Sequence, residues 1–202
     1  MRRGRRAADA RAAKTGGDAV RAGPVDPGDV VAFWREAGEA RWFTAEPRFD
    51  AACTRFRAAH EAAARGECAA WEADAEGALA LVLLLDQFPR NLFRGTPRAY
   101  ATDAAALAAA ERALARGHDR AIAPELRAFL YMPFMHAEDA ALQDRSLALF
   151  AALGLPRHLA AAREHRDLIR RFGRFPHRNP ILGRAETPQE RAYLAGEDAF
   201  RG

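Results

Sequence analysis

The sequence predicts an all-α fold of stacked antiparallel helical hairpins. Three observations carry that expectation. Apolar residues recur at three- and four-residue steps along most of the chain, which marks one buried face per helix. Alanine and leucine, both helix formers, dominate those stretches, and β-branched residues are few in them. Proline and glycine punctuate the periodic segments where helices start and stop. Seven to nine helices are expected and no strand, with connections short enough to make neighbours antiparallel.

The 202 residues suffice for one sizeable domain. A chain of this length buries about 70% of its unfolded surface and needs no disulfide or metal for stability. Cys53 and Cys68 are too few for a disulfide framework and lack metal spacing. They read as small buried apolar residues in a reducing, cytoplasmic compartment. The longest apolar run, residues 79–85, covers only about a third of the ~20 residues that a membrane span needs, so no membrane partner is expected.

The formal charge of +4 is unevenly placed. Residues 1–22 hold Arg2, Arg3, Arg5, Arg6, Arg11, Lys14 and Arg21 against Asp9 and Asp18, which leaves 24 basic and 25 acidic residues elsewhere. Residues 1–25 therefore read as a disordered basic tail, and 26–202 as a single all-α domain without a bulk basic footprint. Nucleic acid is not an expected partner beyond weak, sequence-independent contacts by the tail.

Asp26 at an N-cap and Pro27 at the first helical position open the domain. Val30, Val31, Phe33 and Trp34 form the first apolar face, and Gly38 ends it. Trp42 and Phe43 read as anchors that hold this helix down, not as ligand platforms. A second helix is expected over residues 49–65, with Phe49, Cys53, Phe56 and Ala63 inward and Gly66 as its stop. Asp74 caps the next helix, which is apolar on nearly all sides over residues 79–85 and so belongs at the centre. Pro89 disfavours helix at Phe88 and should end that run. Thr102 or Asp103 caps an alanine-rich helix closed by Gly117. Pro124 opens another, which must kink or break at Pro133. Helices over 138–153 and 156–172 follow, stopped by Gly154 and Gly173. Thr187-Pro188-Gln189-Glu190 is a capping box that starts a last short helix.

The chemistry-bearing residues gather in an internal echo. Phe88-Pro-Arg-Asn-Leu-Phe-Arg-Gly-Thr-Pro97 is answered by Phe175-Pro-His-Arg-Asn179, with a second Thr-Pro at 187–188. In one reading these are latches: each proline stops a helix, and Arg and Asn satisfy its orphan carbonyls. In the other the two loops converge. Arg90, Asn91, Arg94, Arg174, Arg178 and Asn179, with Asp86 and Gln87, then line a pocket for a small anionic or zwitterionic molecule or a peptide end, because guanidinium forks suit carboxylate and phosphate. Asp86, Glu138 and Asp139 can orient the guanidiniums. His136, His165 or His177 can move a proton, and His136, His177 and Glu138 are the candidate catalytic groups for a hydrolase-type activity. A protein-interaction scaffold is a third reading, since helical solenoids present concave surfaces. No metal, nucleotide or dinucleotide motif is present, so no cofactor is expected. Ser146 is the only serine and sits inside a helical pattern, which argues against a serine nucleophile.

Three motifs in order, Leu85-Asp-Gln-Phe-Pro-Arg-Asn-Leu-Phe-Arg-Gly95, Tyr131-Met-Pro-Phe-Met-His-Ala-Glu-Asp139 and Arg171-Phe-Gly-Arg-Phe-Pro-His-Arg-Asn179, give the chain its likeness to a known family. It resembles the bacterial family of unknown function DUF924 from about residue 29 to the end. The resemblance implies a tetratricopeptide-like α-α superhelix and confers no activity. Met135 stands before His136 where the family pattern has an acidic residue, so no carboxylate is expected from that neighbour.

Overall fold

The computed structural model describes residues 25–197 and 199–201. The expected tail thus lies outside the described residues, save for Val25. Among them every regular element is helical, with no strand. The α-helical segments are α1 Pro27–Ala37, α2 Glu39–Trp42, α3 Pro47–Cys53, α4 Arg57–Ala64, α5 Ala75–Val82, α6 Phe88–Leu92, α7 Asp103–Ala115, α8 Pro124–His136, α9 Ala140–Leu153, α10 Pro156–Phe172, α11 Asn179–Leu182 and α12 Pro188–Leu194. The segments outnumber the expected seven to nine helices because tight turns split the longer ones. The second helix shows it: a 3₁₀ turn over Thr54–Phe56 separates α3 from α4.

Helix starts follow local chemistry. Asp26 accepts from the Asp29 backbone N–H while Asp29 accepts from that of Asp26, a full capping box ahead of Pro27. Asp74 caps α5 through the Gly77 N–H, and Asp139 caps α9 through Leu142. Gly154 and Gly173 close α9 and α10 in the left-handed conformation, which a side chain would strain. The two-residue link at 154–155 folds α10 back on α9, and α8 packs against both α9 and α10. Helix α5 is buried along its whole apolar stretch and touches α1, α7 and α8. Its Gly77 admits the 3₁₀ turn over Ala69–Ala73 so closely that an added Cβ would stand 2.0 Å from the Trp71 carbonyl oxygen.

Pro89 does not end the central run. Residues Leu83–Gln87 widen into a π-turn in which the Phe88 N–H reaches the Leu83 carbonyl, and α6 resumes with Pro89 in its first turn. The wide turn gives room to a ring that would otherwise collide with the preceding turn. Side chains take up the carbonyls left short of donors. His60 Nδ1–H donates to Leu84 at 2.8 Å and Thr102 Oγ1–H to Leu85 at 2.6 Å. Arg90 reaches the Asp86 carbonyl, and Asn91 Nδ2 donates to Gln87 at 3.2 Å. Thr102 precedes α7 as expected, but its hydroxyl serves Leu85 and makes no cap bond. Helix α8 likewise continues through Pro133 without a break.

A second, smaller apolar cluster ties down the C-terminal part: Leu168, Ile169 and Phe175, with Phe172, Tyr193 and Phe200 against them. Beside it Thr187 and Glu190 form the expected capping box. Arg174 grips the same carboxylate with a fork, Nε to Oε1 at 2.7 Å and Nη2 to Oε2 at 2.8 Å. That grip, with the Thr187 N–H, holds the Glu190 pKa down at about 2.

Two outcomes follow from these contacts. Thr102→Val keeps the shape but strands the Leu85 carbonyl, and should cost about 1–3 kcal/mol, read as a lower urea midpoint at unchanged slope. Glu190 contributes stability in full above its ordinary pKa of 4.5, and loses it as pH falls toward about 2. Glu190→Gln should therefore be less stable than the native chain at pH 7, with the gap closing across that acid window in thermal melts.

Candidate functional site

The two echoing loops lie on one cleft of about 660 Å³. Gln87, Arg90, Asn91 and Arg94 come from the first loop, and His177 and Arg178 from the second. Helix α8 adds Met132, Met135 and His136, and helix α10 adds Arg157, His158, Ala161 and His165. Trp42 and Phe43 close one side, and Tyr100, Ile181 and Phe200 complete the wall. Trp42 does anchor α1, donating from Nε1 to the Trp34 carbonyl at 2.7 Å. Yet Trp42 and Phe43 also face the cleft, which the expectation of packing alone missed.

The loops meet at Asp103. Arg90 holds it with a fork, Nη1 to Oδ1 at 3.0 Å and Nη2 to Oδ2 at 3.2 Å, and Arg178 Nη1 reaches Oδ2 at 3.5 Å. Both guanidiniums also stand over the Tyr100 ring, at 5.7 Å and 4.7 Å from its centroid. Asp103 was read from the sequence only as a helix start, and Tyr100 was not singled out. Nothing local marks either one: each acquires its role from a loop far along the chain.

Behind the cleft wall Asp86 is fully buried. Its Oδ1 accepts from His136 Nδ1 at 2.7 Å and lies 3.2 Å from Arg90 Nη1, while Gln87 Nε2 donates to Oδ2. Burial alone would raise the Asp86 pKa, but Arg90 and His136 outweigh it and keep the carboxyl ionised. Since a carboxylate only accepts, the bond assigns the His136 proton to Nδ1 and leaves Nε2 with its lone pair. Burial, more than Asp86 can offset, lowers the His136 pKa below 6.5. Burial also drives His165 to about 3 and His177 to about 4, helped by His136 and Arg178 respectively. These imidazoles are neutral at pH 7.

Among the described residues the lining contains Arg90, Arg94, Arg157, Arg178 and Arg201 but no aspartate or glutamate. Carboxylates stand one layer back. Asp50 forks onto Arg94 at 2.8 and 2.9 Å, and Glu39 meets Arg157 at 2.7 Å. The Arg178 Nε and His177 Nδ1 atoms are buried with no hydrogen-bond partner among the described residues. Apolar and aromatic side chains share the lining: Trp42, Phe43, Met132, Met135, Ile181 and Phe200.

Of the residues singled out from the sequence, Gln87, Arg90, Asn91, Arg94, His136, His165, His177 and Arg178 reach this cleft, and Asp86 supports it from behind. Arg174, Asn179 and Glu138 do not line it. Arg174 turns to Glu190. Asn179 is buried and accepts from Arg184 Nε at 2.9 Å. Glu138 accepts the Phe175 N–H at 2.7 Å and pairs with Arg184 at 2.6 Å, so it holds the second loop in place. Among the described residues no group of three or more His, Cys, Asp or Glu is placed to hold a metal ion, and no helix is long and apolar enough to cross a membrane.

Comparison with known proteins agrees with this architecture. A solved structure of a protein of unknown function from Agrobacterium tumefaciens is 54% identical, with a TM-score of 0.81 over 84% of this chain and 96% of that one. No curated protein matches the sequence. The family model described as "Bacterial protein of unknown function (DUF924)" matches residues 30–198, and the chain belongs to that family.

Proposed function

We propose that the cleft binds a small organic anion, with its charge among the arginines and its carbon skeleton against the aromatic and methionine wall. The observation that supports this most is the described lining itself: five arginines, no carboxylate among the described residues, and a set of aromatic and methionine side chains. The volume of about 660 Å³ suits a metabolite-sized molecule. Of the ligands expected from the sequence, an anion fits better than a zwitterion or a peptide amine, because no carboxylate among the described lining residues receives an ammonium group. We read the protein as cytoplasmic, on the strength of two buried free cysteines and the lack of a membrane-length helix among the described residues. A protein-interaction scaffold has less support, since Phe43, 43% exposed, is the large hydrophobic side chain left open among the described residues.

Trp42 provides the readout. Titration with hexanoate or adipate should change its fluorescence saturably, with affinity falling as salt rises. Loss of a charge-assisted hydrogen bond costs about 1.5–3 kcal/mol, so Arg178→Ala should weaken binding by roughly tenfold or more. Arg174→Ala, outside the cleft, should leave affinity within about twofold. Folded protein that binds neither probe at millimolar concentration, or that binds equally well without Arg178, would count against the reading.

A further inference from the structure

Asp86 and His136 do more than close a wall. The carboxylate is fully buried and is held by Arg90 and Gln87, so it fixes the imbedded Nδ1 proton and the ring's orientation. Nε2 is then a free base on a residue that lines the cleft. Burial keeps this imidazole neutral at pH 7, ready to accept a proton.

The rest of the lining says what the base acts on. Among the described residues it contains no serine, cysteine or lysine, so these supply neither an acyl-enzyme nor a Schiff base. Ser146 and Cys53 are fully buried elsewhere, and Cys68 lies in the core. The Thr44 hydroxyl is engaged with the Ala40 carbonyl at 2.9 Å. A base next to guanidiniums, with no covalent nucleophile beside it, is suited to activating water. Resting on the anion-binding reading above, we propose that His136 is the general base of a hydrolase acting on an ester that carries a negative charge.

The step balances within these groups. His136 Nε2 takes a proton from water as the water oxygen bonds to the ester carbonyl carbon, and the carbonyl electron pair moves onto oxygen. The cleft's guanidiniums meet that negative charge. When the carbonyl re-forms and the ester C–O bond breaks, the imidazolium returns its proton to the departing alkoxide. One ester and one water become a carboxylic acid and an alcohol, and His136 is again neutral. Asp86 acts through His136 and is a positioning residue.

The test compares mono-p-nitrophenyl adipate, which is anionic, with neutral p-nitrophenyl hexanoate, in parallel with adipate binding followed through Trp42. The native chain should prefer the anionic ester by at least tenfold in kcat/KM. General-base catalysis contributes about 10²–10⁴-fold, so His136→Gln should lower kcat at least a hundredfold with KM nearly unchanged. The native rate should be flat above neutral pH and fall on a single limb below about pH 6.5, and His136→Gln should lack that limb. Asp86→Asn should lower kcat and shift the limb; His136→Gln carries the test alone if that buried change prevents folding. Native protein that binds adipate but hydrolyses the anionic ester no faster than His136→Gln overturns the hydrolase while leaving anion binding intact. Failure to bind adipate at all overturns both.

Discussion

The structure depends on how the central helix passes Pro89. A regular α-helix cannot carry a proline there without losing a donor and crowding the carbonyl four residues earlier. The π-turn over Leu83–Gln87 removes the collision but leaves carbonyls short of partners in the driest part of the molecule. His60 from α4 and Thr102 before α7 supply two of the missing donors, and Arg90 and Asn91 reach the next two. An unmet buried carbonyl costs about 1–3 kcal/mol, so these contacts tie separate helices to one irregular segment. The same turn presents Asp86 and Gln87 toward α8, and Gln87 lines the cleft. Latch and cleft wall are one construction here, not alternatives.

The cleft is built as two layers of opposite charge. Guanidiniums line the cleft, with Asp50, Asp86 and Asp103 paired to them from outside the lining, while Arg157 meets Glu39 at the exposed surface. Such backing offsets the cost of gathering arginines at half-buried positions, and it fixes fork geometry before any ligand arrives. Arg178 shows the limit of that backing. Among the described residues its Nε lacks a partner, and its ion pair to Asp103, at 3.5 Å, is long. Burial pushes its pKa down first, and Arg90 beside it pushes the same way, so a bound anion would relieve both.

What could be read from the sequence was set by how local the physics is. Caps at Asp26, Asp74 and Thr187, and glycine stops at 154 and 173, involve neighbours within a turn, and they were legible; Asp139, expected to orient guanidiniums, instead caps α9. Pro89 was misread because its tolerance rests on His60 and Thr102, respectively 24 residues from Leu84 and 17 from Leu85. The echo correctly brought Arg90 and Arg178 together in expectation, but could not separate Arg178 from Arg174, four residues earlier. Glu190 makes that choice by claiming Arg174, and that carboxylate was visible only as a helix cap. Asp103 and Tyr100, which join the loops, carry no local signature at all.

Among the described residues the cations of this cleft are all arginine, and the histidines among them are held neutral. Arginine keeps its proton across the whole biological pH range, whereas lysine can lose one when desolvated. The field inside the cleft is therefore constant from neutral to alkaline conditions, and acidification can only add to it. On the proposed reading, a bound anion would keep its partners when the surrounding medium drifts. The described lining also offers no amine to acetylation, glycation or carbamylation, the covalent wear to which lysine-based anion sites are open.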